Sequence, residues 1–195
     1  MPTFLFGLLL FRVPGVLGLD VFSPSLRGSI LVLIFVGTFM VPSLVIYYLF
    51  RGGYVQSLHL TTLADRRLPY FLTAVIYTIT GYLFTFHMQV LSTLAPEIGI
   101  LIGSIAVSIL LVGLVSLNWQ ISAHTVGIGG VVGVVSGLML RFSLNDLFIP
   151  LLLLIVLAGF VASARLKLNA HTPAQISAGL ALGLVVSLLT VFWFV

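Results

Sequence analysis

Six apolar runs govern what this chain can become: Gly28–Phe50, Tyr70–Val90, Ile98–Leu117, Thr125–Leu140, Leu147–Ser163 and Pro173–Val195. Each is close to the ~20 residues an α-helix needs to cross a hydrocarbon core, the fourth and fifth being the shortest. Backbone polar groups in such a core must pair within the segment, which favours helices. A β-barrel would instead show alternating segments of ~10 residues, and none occur here. Only 6% of the 195 residues are charged and 61% are hydrophobic, whereas a soluble domain carries roughly a quarter charged residues. The expected fold is all-α, a polytopic membrane bundle of six transmembrane helices over residues 28–195. Residues 1–27 form a short N-terminal interfacial or re-entrant segment ahead of it. Its apolar stretch, Phe4–Phe11, has no basic leader and is broken by Arg12, Pro14 and Gly15. That argues against a cleaved signal peptide and against a seventh span.

If each run crosses once, the loops Arg51–Pro69, Asn118–His124 and Arg165–Thr172 emerge on the same face. They carry His59, His124 and His171 of the chain's 4 histidines, and Arg51, Arg66, Arg67, Arg165 and Lys167 of its 8 basic residues. Asp20, Arg27, His87, Glu97, Arg141 and Asp146 fall on the other face. A net charge of +4 is too sparse for nucleic-acid binding. With no cysteine, disulfides, thiolate chemistry and iron–sulfur clusters are excluded. Asp65 alone cannot supply the carboxylates that Mg²⁺ or Ca²⁺ needs, so neither a metal nor a cofactor is expected. The interiors of the runs hold no charged residue, which counts against a transporter. Arginine forks match phosphate oxygens, and histidine serves as nucleophile or proton donor near neutrality. The set therefore favours an anionic, phosphorylated ligand.

Two helix starts on that face have a useful chemical property. Ser122-Ala123-His124-Thr125 leads into the fourth run, where the first N–H groups lack intrahelical acceptors and favour an anion. In His171-Thr172-Pro173-Ala174-Gln175, Thr172 suits an N-cap, Pro173 the first turn and Gln175 the far half of a capping box. Taken singly, His124 and His171 read as interfacial capping histidines; their joint spacing with Ser122 and Arg165 makes them a site. Arg66 and Arg67 read equally well as topology determinants or phosphate ligands. Lys167 reads as a snorkelling residue, and Trp119, Tyr54 and Tyr70 as interfacial anchors. His87 reads as structural. Gly129, Gly133 and Gly137, with Gly179 and Gly183, form small-residue stripes suited to close helix packing within the chain, a homodimer being the other use.

The order of these residues resembles the type 2 phosphatidic acid phosphatase superfamily, which shares its core with vanadium haloperoxidases. That family shows Lys-x6-Arg-Pro, then Pro-Ser-Gly-His, then Ser-Arg-x5-His-x3-Asp. Here Ser163-Ala164-Arg165 is followed by His171 after five residues, Ile121-Ser122-Ala123-His124 stands in the second place, and His59 precedes Arg66-Arg67-Leu68-Pro69 in the first. The resemblance runs from about Ser57 to the C-terminus and is nearest to small bacterial membrane members. It implies metal-free phosphoryl transfer with His171 as nucleophile and His124 as proton donor. Arg165, Arg66 or Arg67, Ser122, backbone N–H groups near Ala123, and His59 in the lysine place would hold phosphate oxygens.

The sequence departs from the pattern in three places. Gln175 stands where the family has an aspartate that orients the nucleophile, Ala123 replaces the glycine, and His59 replaces the lysine. The function implied is an integral membrane lipid phosphatase acting on a phosphorylated headgroup or a polyprenyl diphosphate. The alternative is a weakened or inactive relative that binds an anionic lipid phosphate. Counting basic residues puts the site face in the cytoplasm. The resemblance puts it outside a bacterial inner membrane, in the periplasm. Because several of those bases double as ligand contacts, the outer face is the reading adopted.

Overall fold

The computed structural model describes residues 1–58 and 62–195, and every regular element among them is helical. In chain order these are α1 (Pro2–Arg12), α2 (Pro24–Phe35), α3 (Val41–Arg51), α4 (Leu63–Tyr82), α5 (Gln89–Leu94), α6 (Glu97–Val115), α7 (Ala123–Phe142), α8 (Phe148–Lys167) and α9 (Pro173–Phe194). Six stretches are long and apolar enough to cross a membrane: Pro24–Arg51, Leu63–His87, Glu97–Val115, Ala123–Phe142, Asn145–Lys167 and Pro173–Phe194. The protein is thus an all-α, multi-pass membrane bundle.

Most spans begin or end beyond the hydropathy edges, because caps rather than apolar residues set helix ends. Ser23 opens the first span by accepting the Leu26 N–H at 3.3 Å, with Pro24 in the first turn. Thr62 does the same for α4, accepting the Asp65 N–H at 3.2 Å. At the far end of α7, Arg141 donates to the Val191 carbonyl at 3.1 Å and to that of Phe192, with its guanidinium over the Phe142 ring. The two runs that look short in sequence are therefore spans of 20 and 23 residues.

The first span is one bent rod. Pro42 has no N–H to give the Thr38 carbonyl, four residues earlier, and a π-turn at Val36–Met40 absorbs the mismatch. The Tyr77 hydroxyl of α4 donates to that carbonyl at 2.6 Å, which ties the first two spans together. A second π-turn, Leu83–His87, extends α4 on the opposite face.

Within residues 1–27, α1 is packed into the bundle rather than lying exposed along it. Leu5, Phe6, Leu9 and Leu10 of α1 are at most 1% exposed and belong to one core with Ile98 and Leu101 of α6 and Ile128 and Leu138 of α7. Arg12, Pro14 and Gly15 do break the helix, as the sequence suggests. The break produces a return, through 3-10 turns at Pro14–Leu17 and Leu19–Val21, into α2 at Pro24. Arg27 fixes that return: Nε donates to the Phe22 carbonyl at 2.9 Å, Nη2 to that of Asp20 at 3.1 Å and Nη1 to that of Leu10 at 3.5 Å. At its other end α1 brings Met1 against Gly127 of α7.

The closest helix pair is α7 with α9. A Cβ at Gly183 would collide with the Val126 carbonyl, and one at Gly179 with the Thr125 hydroxyl. A Cβ at Gly129 would lie 2.5 Å from the Leu180 carbonyl and one at Gly133 2.8 Å from that of Leu184. Both glycine stripes therefore serve packing within the chain, where small residues let backbones touch without help from the hydrophobic effect. Gly183→Ala should lower the thermal midpoint in detergent, by roughly 1–3 kcal/mol of overpacking or more. Gly159→Ala on α8, where a Cβ meets nothing within 4 Å, should leave it unchanged.

Candidate functional site

One short connection accounts for the spacing between Arg165 and His171. Helix α8 ends with Asn169 in the left-handed region (φ 48°), and the Ala170 N–H returns to the Arg165 carbonyl at 3.1 Å. The chain turns at once into α9, whose start is a full capping box. Thr172 Oγ1 accepts the Gln175 N–H at 3.4 Å, and Gln175 Oε1 accepts the Thr172 N–H at 3.1 Å. His171 is pinned between the two helix ends, beside Arg165 and only 8% exposed.

Gln175 has a second partner. His171 Nδ1 lies 3.2 Å from the same Oε1. A backbone N–H can only donate, so the side-chain oxygen of Gln175, not its nitrogen, faces Thr172. It follows that in the neutral ring Nδ1 carries the hydrogen and donates it to Oε1, while the Gln120 carbonyl is a second acceptor beside the ring. Glutamine can thus do the orienting half of an aspartate's task here. It cannot do the other half, because it has no charge to balance an imidazolium.

Burial is the main influence on His171 and pushes its pKa below the ordinary 6.5. Arg66 and Arg165 push the same way, while the hydrogen bond to Gln175 and the Gln120 carbonyl work against them. The ring is neutral over a wider range of pH than that of a free histidine.

The second helix start meets the first directly. The Ser122 N–H donates to the Gln175 carbonyl at 3.5 Å, and Gly179 leaves room for that approach. The Ser122 carbonyl takes the N–H groups of Thr125 and Val126 at 3.1 and 3.0 Å. The Ser122 side chain does not cap α7, and its Oγ is buried without a partner among the described residues. Nε of Arg165 is likewise shut away from solvent, with no partner among the described residues. Two orphaned polar atoms in one cluster suit an incoming group rich in oxygen. His124, on the first turn of α7, is exposed and lies within the fields of Arg165, His171 and Arg66.

The adjacent arginines part company. Arg66 is 8% exposed and acts electrostatically on both histidines. Arg67 turns outward, and its Nη2 donates to the Leu117 carbonyl at 3.0 Å, closing the end of α6. Successive helical residues point about 100° apart, so only one of the pair can face the cluster. Thus His171, Gln175, Arg165, Ser122, Ala123, His124 and Arg66 come together, Arg67 stands aside, and His59 lies outside the described residues. Lys167, Tyr54 and Trp119 are exposed, as sequence suggests. Tyr70 is not an outward anchor. It is half-buried, near Arg66 and Arg165, and helps to line a cavity beside His124. Its position four residues after Arg66, on the same helical face, was a usable signal.

No protein-family model, curated protein or solved structure matches this chain.

In ¹⁵N-histidine NMR spectra, His171 should show the tautomer protonated at Nδ1 and titrate below pH 6.5. Gln175→Asp should raise that midpoint, because a carboxylate favours the imidazolium. Below pH 6.5 the unfolded ring binds a proton that the folded one does not, so this histidine's share of stability falls as pH drops.

Proposed function

We propose that the protein is an integral membrane phosphatase acting on a phosphorylated lipid, through a phosphohistidine and without a metal ion. The convergence of His171, His124, Arg165, Arg66 and Ser122 at one end of the bundle carries this reading. The lone pair on His171 Nε2 attacks phosphorus as the bond to the lipid oxygen breaks. Protonated His124 gives its proton to that leaving oxygen. The now neutral His124 then takes a proton from water, whose oxygen attacks phosphorus and breaks the P–N bond, releasing inorganic phosphate. Arg165 and Arg66 balance the charge on the equatorial oxygens, with Ser122 Oγ and the N–H groups of Ala123 and His124 as further donors. Preorganised charge of this kind supplies most of the catalysis of phosphoryl transfer.

Lipid is the preferred substrate because the cluster stands at the ends of spanning helices beside an apolar cavity. By the resemblance, the membrane is the bacterial inner membrane and the site face is periplasmic. A second reading draws on Gln175, which is uncharged and already used as a cap. On that reading the protein binds a lipid phosphate without turning it over.

Phosphate release from a lipid phosphate, measured in chelator, separates the two. Wild type should turn over and His171→Ala should lose turnover; activity unchanged in His171→Ala would remove the mechanism. Arg66→Ala should cost about 10²–10³ in kcat, the loss of one transition-state charge contact. Arg67→Ala should leave kcat within a few-fold and act on stability instead. Vanadate binding with no turnover, together with a gain of activity in Gln175→Asp, would select the second reading.

A further inference from the structure

Beside His124 the bundle holds a half-open apolar cavity of about 390 Å³. It follows α7 from Ala123 and His124 at the rim to Val134 inside. That is twelve residues of helix, a rise of about 16 Å at 1.5 Å per step. A single leaflet of a ~30 Å hydrocarbon core has that depth. The walls are hydrocarbon for most of the way, including Ile105 and Ile109 of α6 and Val131 of α7. One wall is unusual: Met1, Pro2 and Leu5 of the inserted helix α1. These residues lie outside the part of the chain that carries the family resemblance.

We propose that this cavity takes one hydrocarbon chain of the lipid whose phosphate meets the cationic rim, and that α1 is the wall that decides which chain fits. The inference rests on the phosphatase reading for the headgroup alone. An anionic head with an apolar tail complements arginines and histidines standing over an apolar shaft. The volume lies near the low end of ligand pockets, which suits one chain rather than two. Entering the cavity gains a chain little hydrophobic energy, because the bilayer it leaves is equally apolar. What the shaft provides is position, holding the headgroup over His171 while shape selects the chain.

The test is photolabelling in nanodiscs with a long-chain alkyl phosphonate that carries a diazirine at mid-chain. A phosphonate is not hydrolysed, so labelling reads occupancy whether or not the protein turns over. Label should appear on Met1–Leu5, Ile105–Ile109 or Val131–Val134. In Gly127→Leu it should fall roughly tenfold or more at those sites, the equivalent of one overpacked side chain. A Cβ at Gly127 meets only Met1, at 3.5 Å, so the backbone has room for the change. Ser108→Leu, on the cavity wall of α6, should do the same and serves if Gly127→Leu does not fold. Gly159→Leu, on α8 with nothing within 4 Å of its Cβ, should label like wild type. Label confined to lipid-facing residues such as Leu153 and Phe160, or cavity label untouched by either filling variant, overturns the proposal. Turnover with label only outside counts against the cavity alone; cavity label without turnover counts against hydrolysis alone.

Discussion

The contact between α7 and α9 is the interaction on which the rest depends. At one end Arg141 of α7 donates to the Val191 and Phe192 carbonyls of α9, but along the rest of the pair no side-chain hydrogen bond is described between them. What brings them together is the absence of side chains at Gly129, Gly133, Gly179 and Gly183, which puts backbone against backbone. That approach lets the first turn of α9 reach the entry to α7, so that the Ser122 N–H finds the Gln175 carbonyl. Two loops separated by about fifty residues become a single rim. The chemistry at this rim is thus set by the packing below it.

Within the rim, one glutamine side-chain oxygen answers to two donors. The capping box fixes the amide orientation, and that orientation favours the Nδ1-protonated tautomer of His171. Local helix-capping physics and the state of a candidate nucleophile are therefore one constraint. An aspartate at this position would add a charge, on a side chain one methylene shorter. The chain keeps the geometry and forgoes the charge, so burial, not ion pairing, dominates the behaviour of this imidazole.

Much of this was legible in the sequence. Apolar run length gave the six spans because a bilayer imposes one dimension on every crossing helix. Thr172, Pro173 and Gln175 foretold the capping box because caps are written in local residues. The spacing of Arg165 from His171 foretold their proximity because so short a link between two helices leaves few routes. What stayed hidden depends on groups far apart in the chain. Nothing local says which of Arg66 and Arg67 faces inward; the Leu117 carbonyl, in the turn that follows α6, takes the one that faces out. The breaks at Arg12, Pro14 and Gly15 look the same whether α1 lies across the bundle or enters it. Its burial is decided by a groove that α2, α6 and α7 create. Tyr77 is likewise an ordinary aromatic until Pro42, on a different span, frees the Thr38 carbonyl.

The inserted helix has a consequence for how the molecule is assembled. The groove that receives Phe6 and Leu9 includes Ile128 and Leu138, which are synthesised more than a hundred residues later. Until then this segment has no finished berth, and its large apolar side chains must wait in lipid or against an incomplete neighbour. Among the described elements, the one translated earliest thus gains its full set of neighbours only once α7 has been made. Seating it completes the wall of the shaft, so maturation of the bundle and readiness to accept a guest arrive in the same event.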